Sequence, residues 1–200
     1  MIVKTYPLGS LQTNCYLAID DKTNKAAIID PGAQANYLIN EIKNLGIEID
    51  VILLTHCHFD HNGAVVELKD KYNVDVYLNE AEEEYMNIDT TGIFGRLPKF
   101  YKFLEEGQEI KVGSITFKTI FTPGHTKGGT CFLAEDNLFT GDTLFNGSIG
   151  RTDFLGGSYN ELINSIETKL MPLNDNVNVY PGHGPKSTIM HERMKNPFLV

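Results

Sequence analysis

The chain has 200 residues, of which 42% are hydrophobic, and a formal net charge of -9 at pH 7. This length is expected to give one domain, residues 1–200, because it allows a substantial core but is short for two domains. The acidic balance argues against nucleic acid or an anionic membrane surface as the main partner, since both require a basic footprint.

Targeting and redox features predict a soluble, cytoplasmic protein. The N-terminal segment M-I-V-K-T-Y-P-L-G lacks the basic and apolar regions of a signal peptide, and no apolar run reaches membrane-spanning length. The three cysteines are an odd number without CxxC spacing, which disfavours a disulfide framework or a cysteine-based zinc site. Reduced thiols in a cytoplasm fit this pattern better.

Short β-rich segments open the chain, and strands then alternate with helices. Segments rich in β-branched and aromatic residues predict an opening β-meander at 2–6, 14–19 and 25–30. Apolar residues from Leu38 to Leu45 recur at helical spacing, so we predict a helix that ends at Gly46. Further along, the patterns predict a strand at 51–54, a helix at 63–72, a strand at 74–78 and a helix at 80–88.

The second half begins with an irregular segment, residues 90–104, that is rich in Phe and Tyr. We interpret it either as a pocket wall or lid, or as an insert that packs its aromatic side chains on the core. The later patterns predict strands at 114–122, 130–135, 137–141 and 177–180, and helices at 158–170 and 187–195. Together these elements favour an α/β fold, a mostly antiparallel sandwich flanked by helices.

Three imidazoles and a carboxylate lie together after a predicted buried strand, in T-H-C-H-F-D-H at 55–61. Titratable groups beside a core are costly unless each finds a partner, and a metal ion is one such partner. On an α-helix, residues two apart point in nearly opposite directions, so His56, His58 and Asp60 could not share a helical face. We therefore predict that these side chains lie on a loop just past the strand.

The same arrangement recurs at three later strand ends. Successive predicted strands lead into P-G-H with His125, G-D-T with Asp142 and P-G-H-G with His183. Loops beyond the carboxyl edge of a sheet can present side chains to one cleft. Each residue alone would be an ordinary hydrogen-bonded His or turn Asp, but together with H-x-H-x-D-H they predict a metal site.

Three nearby residues are left out of the predicted ligand set. His191 lies in the last predicted helix and is interpreted as a surface residue. Asp30, in D-P-G, is interpreted as a turn residue or as a residue behind the ligands. The Cys57 side chain should point away from the ligands, because it lies between two of them in an extended segment.

The ordered motifs T-H-C-H-F-D-H, T-P-G-H-T, G-D-T-L-F and Y-P-G-H-G resemble the metallo-β-lactamase superfamily across nearly the whole chain. The resemblance implies an αβ/βα four-layer sandwich, with two mixed sheets flanked by helices and a two-metal site at one edge. It also implies the ligands of both ions. His56, His58 and His125 would hold one ion, Asp60, His61 and His183 would hold the other, and Asp142 would bridge them.

Within that superfamily, T-N-C-Y-L (13–17), G-D-T-L-F (141–145) and G-R-T-D-F (150–154) resemble the glyoxalase II, or hydroxyacylglutathione hydrolase, group. A bridging Asp142 disfavours true β-lactamases. Glyoxalase II proper continues past its P-G-H motif into a helical domain that helps to bind glutathione, whereas this sequence ends sixteen residues after Gly184. It therefore resembles the small bacterial glyoxalase II-like hydrolases that lack this domain.

The resemblance implies a metal-dependent hydrolase that cleaves thioesters of low-mass thiols, such as S-lactoyl conjugates. Two divalent cations would lower the pKa of a shared water and supply a bridging hydroxide, which Asp60 would orient. Zinc is the favoured metal, with iron or manganese as alternatives, because all accept His and Asp ligands. Arg151 and Lys127 are candidate substrate contacts, although Arg151 could instead pair with Asp153 and Lys127 could be a solvated turn residue.

Other functions remain open at this point. Persulfide dioxygenases share T-H-x-H-x-D-H and G-R-T-D-F but use a single iron, and their last motif commonly reads P-A-H-D, so P-G-H-G favours a second metal. A lactone hydrolase is a further alternative. A metal that only staples a binding module is disfavoured, because structural zinc sites are usually closed and cysteine-rich. The sequence does not determine the oligomeric state or the thiol carrier.

Overall fold

The computed structural model describes residues 1–199, and its first half alternates strands and helices after an opening meander. The predicted strands and helices of this half are all present, although several begin or end a few residues away from the predicted bounds. The elements are β1 (Ile2–Leu8), β2 (Thr13–Ile19), β3 (Lys25–Ile29), α1 (Ala35–Leu45), β4 (Glu48–Leu53), α2 (Phe59–Asn62), α3 (Val65–Tyr72), β5 (Asp75–Leu78), α4 (Glu80–Ile88) and β6 (Lys102–Phe103).

The second half is richer in strands. Its elements are β7 (Glu109–Val112), β8 (Ile115–Phe121), β9 (Thr130–Ala134), β10 (Asn137–Gly141), β11 (Leu144–Phe145), β12 (Ser148–Ile149), α5 (Tyr159–Ser165), a π-helical turn (Ile166–Leu170), β13 (Asn178–Pro181), β14 (Ser187–Thr188) and α6 (Ile189–Lys195). The predicted helix at 187–195 begins later, because Ser187 and Thr188 pair with β13 before the Thr188 side chain caps α6. No helix among residues 1–199 is long and apolar enough to cross a membrane.

Two six-stranded mixed sheets form the centre of the molecule. The first has the order β1-β2-β3-β4-β5-β6, antiparallel from β1 to β3 and parallel from β3 to β6. The second has the order β14-β13-β10-β9-β8-β7, in which only β10 and β13 are parallel. The first sheet is therefore half parallel, and the prediction of a mostly antiparallel sandwich holds better for the second.

The residues of inner strands such as β2, β3, β9 and β10 are mostly buried on both faces, because each sheet is covered on both sides. On β4, Val51 and Leu53 belong to the core between the two sheets, whereas Ile52 packs with Leu38 of α1 and Val65 of α3. This alternation follows from the opposite directions of successive side chains in a strand. A third cluster packs α5, the π-helical turn and α6 on the second sheet. The layers run helix, sheet, sheet, helix, which confirms the predicted four-layer sandwich.

Three predicted ligand loops share one edge of the second sheet. Strands β8 and β10 are each antiparallel to β9, and β10 is parallel to β13, so all three run in one direction. Their carboxyl ends therefore meet at the same edge. His125, Asp142 and His183 follow these ends, and the loop after β4 reaches the same place from the first sheet.

Candidate metal centre

Three buried histidine rings converge at this edge. The Nε2 atom of His56 lies 3.1 Å from Nδ1 of His58, and Nε2 of His125 lies 3.0 Å from the same Nδ1. Ligand nitrogens bonded to one zinc ion at about 2.0–2.1 Å would lie roughly 3.3 Å apart in a tetrahedral arrangement. The spacing of the three rings is thus close to that of ligands around a single ion.

The hydrogen bonds behind these rings determine which nitrogens carry lone pairs. The Thr55 hydroxyl donates to Asp30 at 2.6 Å, so its oxygen can accept from Nδ1 of His56, 3.1 Å away. Nδ1 of His125 donates to the Arg151 carbonyl at 2.7 Å. Because a neutral imidazole has one donor and one acceptor nitrogen, the Nε2 atoms of both rings point lone pairs at His58. A proton on His58 can satisfy only one of them, whereas a metal ion would satisfy both.

A second group of side chains lies beside the first. Nε2 of His183 is 3.3 Å from Oδ2 of Asp60, and Nε2 of His61 is 3.6 Å from the same oxygen. Asp142 lies between the two groups, with one oxygen 3.4 Å from His61 and the other 3.6 Å from both His125 and His183. All seven predicted ligands are therefore brought together.

Several atoms of the centre are buried without a hydrogen-bond partner, which is unusual for polar groups in a folded protein. Two of them face other ligands, His61 Nε2 and Asp142 Oδ1, whereas the third, His58 Nε2, lies on the side of its ring away from the Nδ1 that meets His56 and His125. The ligating atoms of His56, His61 and Asp142 lie within 4.8 Å of one another, as do those of Asp60, His61 and His183. Nitrogen lone pairs and carboxylate oxygens that face each other repel unless a cation lies between them. These ligating atoms therefore fit a divalent metal ion.

The pKa shifts agree with this arrangement. Burial, together with neighbouring imidazoles, holds the pKa of His56 well below its usual value and lowers that of His58 to about 3, so both rings are neutral. Burial also lowers the pKa of His61, but the carboxylates of Asp142 and Asp30 outweigh it and raise this pKa. Neutral imidazoles are the form that binds metal, and the carboxylate side of the centre attracts positive charge.

Asp30 fixes the orientation of two neighbouring groups. One of its oxygens accepts from the Thr55 backbone N–H at 2.8 Å, and the other lies 2.9 Å from Nδ1 of His61. With Nδ1 donating to Asp30, Nε2 of His61 is directed into the centre. Of the two interpretations offered for Asp30, its contacts match a residue behind the ligands.

The expectation that the first four ligands lie on a loop is only partly correct. His56 and His58 lie on extended chain after β4, but Phe59–Asn62 forms the one-turn helix α2, so Asp60 and His61 are helical. Residues two apart cannot share a helical face, which excluded one helix for His56, His58 and Asp60 together. This exclusion does not apply to Asp60 and His61, which are adjacent and enter the centre from the first turn of α2.

Strand β2 supports the centre from the other side and explains the T-N-C-Y-L motif. The Thr13 hydroxyl donates to Asp60 at 2.6 Å. The Asn14 side chain donates to the carbonyls of Pro181 and Gly184, at 3.0 and 2.9 Å, and so holds the loop that carries His183. These two positioning residues were not predicted, because their partners are distant in sequence.

Two glycines allow the close approach of backbone segments. Gly141 ends β10 at an irregularity in its pairing with β13, and its φ of 48° lies in the left-handed region. A Cβ on Gly141 would overlap the Thr55 hydroxyl, and one on Gly182 would overlap Asp142 Oδ1. Glycine is therefore required at both positions on steric grounds.

Glu82 connects two ligand-bearing loops from inside the protein. Its side chain is fully buried on α4, where it accepts from the Cys57 backbone N–H at 2.7 Å, the Thr126 hydroxyl at 2.6 Å and the Gly128 N–H at 3.0 Å. Cys57 lies between two of the histidines, and Thr126 and Gly128 follow a third. Burial raises the pKa of Glu82, and the three donors oppose this rise by favouring the carboxylate.

Sequence reasoning missed Glu82, although a weak signal was present. The run E-A-E-E-E-Y-M contains four glutamates, and Glu82 and Glu83 lie four and three residues before the buried Met86, both within reach of its helical face. A glutamate on the apolar face of a helix is expected to have a specific buried partner.

The two predicted substrate residues differ in position. Arg151 lines the cleft above the centre, but its guanidinium makes two 2.7 Å hydrogen bonds to Asp153 and lies 3.8 Å over the Phe154 ring. Lys127 does not line that cleft, and its ammonium donates to Glu161 at 2.7 Å. Arg151 thus makes the contact of its structural alternative, whereas the ion pair of Lys127 with Glu161 was not among the predictions.

Most of the chain also matches a known protein family. Residues 8–183 match the model described as "Metallo-beta-lactamase superfamily". The chain belongs to this superfamily. Its clustered His and Asp side chains identify it as a metal-binding member.

Individual members of the superfamily are similar over the full length of the chain. Hydroxyacylglutathione hydrolase GloC of Haemophilus influenzae is 41% identical, covering 100% of this chain and 98% of that protein. The BLEG-1 B3 metallo-beta-lactamase structure is 38% identical, with a TM-score of 0.92 and full coverage of both chains. TTHA1623, solved in a di-iron-bound form, is 34% identical with a TM-score of 0.87 and full coverage of both chains.

Proposed function

We propose that the protein is a metal-dependent hydrolase that cleaves thioesters of low-mass thiols, with S-lactoylglutathione as the first substrate to test. One observation carries the proposal: seven His and Asp side chains converge, five of them at the floor of a cleft, and two atoms between them, His61 Nε2 and Asp142 Oδ1, have no hydrogen-bond partner. Full-length similarity to hydroxyacylglutathione hydrolase GloC supports the substrate class.

The proposed centre holds two divalent ions. His56, His58 and His125 would hold the first, Asp60, His61 and His183 would hold the second, and Asp142 would contact both. Zinc suits this donor set, and iron and manganese accept the same ligands. The similarity to TTHA1623, which binds two irons in its solved structure, supports a count of two.

When bound, the two ions would supply a hydroxide nucleophile near neutral pH and polarise the thioester carbonyl. The protein would position the remaining groups. Burial raises the pKa of Asp60, but His183 and His61 outweigh it and lower the pKa, so Asp60 is ionised and can accept a hydrogen bond from the attacking water. The Thr13 hydroxyl holds this carboxylate in place.

The leaving group also fits the side chains around the cleft. A thiol has a pKa near 8.5, so a thiolate can leave without a strong general acid. Among the described lining residues, the imidazoles and carboxylates belong to the predicted ligand set, and none is left over as a dedicated proton donor. We propose contact with the substrate for Arg151, which lines the cleft, and give Lys127 no role there.

β-Lactam hydrolysis is a second candidate, because the BLEG-1 B3 metallo-beta-lactamase matches the whole chain at a TM-score of 0.92. The assay that separates the candidates uses zinc-loaded protein with S-D-lactoylglutathione, a chromogenic cephalosporin and an aryl lactone. The proposal predicts thiol release at a kcat/KM at least 100-fold above cephalosporin or lactone hydrolysis. Faster cephalosporin or lactone cleavage would overturn it. Oxygen uptake with glutathione persulfide by iron-loaded protein, without thioester cleavage, would favour a dioxygenase.

A further inference from the structure

We infer that the cleft favours thioesters with an apolar acyl chain over S-lactoylglutathione, an inference that rests on the proposed thioester hydrolysis. The cleft has a volume of about 500 Å³, within the usual range for small-molecule sites. Its floor is formed by predicted metal ligands, and its walls are mostly apolar. The apolar lining residues are Leu11, Phe59, Ile93, Phe145, Ile149 and Phe154.

These walls come from separate parts of the chain. Leu11 lies on the turn between β1 and β2, Phe59 begins α2, and Phe154 lies in the loop after β12. Leu11 is 52% exposed and Phe59 is 44% exposed, so large apolar surface faces the solvent directly beside the centre. Apolar surface around a concave site is typical of contact with an apolar ligand.

The charges of the cleft do not match the glutathione moiety. A glutathione thioester carries two carboxylates at neutral pH, and a buried carboxylate without a partner is costly. Arg151 is the one cationic Arg or Lys among the described lining residues. Asp153 takes two of its five N–H donors, and the three that remain can bind one of the two carboxylates but not both.

An apolar acyl chain carries no charge, so it needs no cationic partner in the cleft. With the thioester carbonyl at the floor of the cleft, an acyl chain of four to six carbons can lie against the apolar wall and lose contact with water. Burial of apolar surface contributes about 0.8 kcal/mol for each methylene, which converts to about three- to fourfold in kcat/KM. The lactoyl group has a hydroxyl and only one methyl, so it gains little from this wall.

The test uses zinc-loaded protein and thioesters of N-acetylcysteamine, an uncharged thiol, with acetyl, butanoyl and hexanoyl groups. We expect kcat/KM to rise from acetyl to hexanoyl, on the order of 100-fold, and to exceed the value for S-D-lactoylglutathione. A flat or falling series, or a preference for S-D-lactoylglutathione, would overturn the inference while leaving thioester hydrolysis intact. Failure to cleave any thioester would instead overturn the proposed function.

Binding of inert analogues tests the cleft independently of catalysis. We expect S-hexyl-N-acetylcysteamine to bind at least tenfold more tightly than the S-methyl analogue, measured by calorimetry. Equal affinities would contradict an apolar acyl site.

A matched pair of variants locates the effect. Phe59→Ala removes a wall residue, whereas Phe198→Ala removes a phenylalanine of nearly equal exposure, 45%, outside the cleft. We expect Phe59→Ala to lower the ratio of hexanoyl to acetyl kcat/KM at least threefold and Phe198→Ala to leave it unchanged. The ratio is insensitive to partial metal loss, because both substrates use the same metal-loaded molecules. An unchanged ratio in Phe59→Ala would contradict the assignment of this wall.

Discussion

Among single residues, the buried carboxylate of Glu82 positions the loops that carry the ligands. Glu82 has no contact with the proposed ions, yet it accepts hydrogen bonds from both the segment around Cys57 and the loop after His125. Such outer contacts fix the orientation of ligands, and their loss typically costs 10- to 100-fold in metal affinity.

Glu82→Gln tests this role with almost no change in shape. The amide replaces one acceptor oxygen by an NH2 group that must face a donor, so one hydrogen bond is lost and two donors oppose each other. We expect zinc affinity to fall about 10- to 100-fold, measured by competition with a chromogenic chelator, while the far-ultraviolet circular dichroism is retained.

Glu84→Gln is the matched control, because Glu84 is exposed on the same helix, two residues further along. Its zinc affinity should equal that of the natural protein. Equal affinities in Glu82→Gln and Glu84→Gln would show that Glu82 does not position the ligands.

Gly182 provides a steric test at the same scale. Its missing side chain leaves room for Asp142 and for the His61 ring, whose Cε1 would be 2.7 Å from an added Cβ. Gly182→Ala should therefore displace Asp142, which would contact both proposed ions, and His61, which would hold the second. We expect bound zinc to fall to one ion or fewer per chain by elemental analysis, whereas two ions in the purified variant would contradict this account.

At the scale of elements, the strand ends explain why much of the site could be predicted. Each ligand motif follows its own strand directly, so T-H-C-H-F-D-H, P-G-H, G-D-T and P-G-H-G are local signals. Their meeting at one edge requires only the strand directions. Helix α2 and the contacts of Glu82 could not be derived in this way, because they depend on the orientation of elements that are distant in sequence.

The turn that follows α4 packs against the metal centre. Asp89 accepts from the Thr91 hydroxyl at 2.6 Å and from the Phe94 backbone N–H at 3.0 Å. The Phe94 ring then packs edge-on against the His58 ring, with centroids 4.8 Å apart. Segment 90–104 thus contributes at least one aromatic residue that packs beside the ligands, and Ile93 from the same segment lines the cleft.

This turn gives a pH-dependent prediction. The hydrogen bond from Thr91 lowers the pKa of Asp89 to about 2, below its usual value of 3.8. The stabilisation is therefore present above about pH 4 and lost as the pH falls towards 2. Asp89→Asn should unfold at a lower temperature than the natural protein at pH 6, and the difference should shrink between about pH 4 and pH 2.

Asp89→Asn and the natural protein are both measured with a chelator present, so that metal release does not contribute to the pH dependence of the unfolding temperature. Thr91→Val, which removes the hydroxyl donor, should reduce the same pH dependence by a smaller amount. A difference between Asp89→Asn and the natural protein that is constant from pH 6 to pH 2 would exclude this role for Asp89.

At the scale of the whole molecule, the metal centre connects the two sheets. Ligands after β4 belong to the first sheet, and those after β8, β10 and β13 belong to the second. Ions bound between them would stabilise the folded state only, because the unfolded chain does not hold these side chains together.

Removal of metal should therefore lower the thermal unfolding midpoint. At a free zinc concentration about 100 times the Kd, each ion contributes about 2.7 kcal/mol, so two ions contribute about 5 kcal/mol, or roughly 10–20 °C for a chain of this length. We expect chelation to lower the midpoint by this amount and zinc to restore it in a thermal scan. Magnesium, which prefers oxygen ligands, is the control and should not restore it. An unchanged midpoint after chelation would contradict stabilisation by metal.

Two-metal thioester hydrolysis is best tested by the metal content of freshly purified protein, measured together with thiol release from S-D-lactoylglutathione. We expect about two divalent ions per chain by elemental analysis, and thiol release that is lost on chelation. A single iron per chain without thioester cleavage would contradict it.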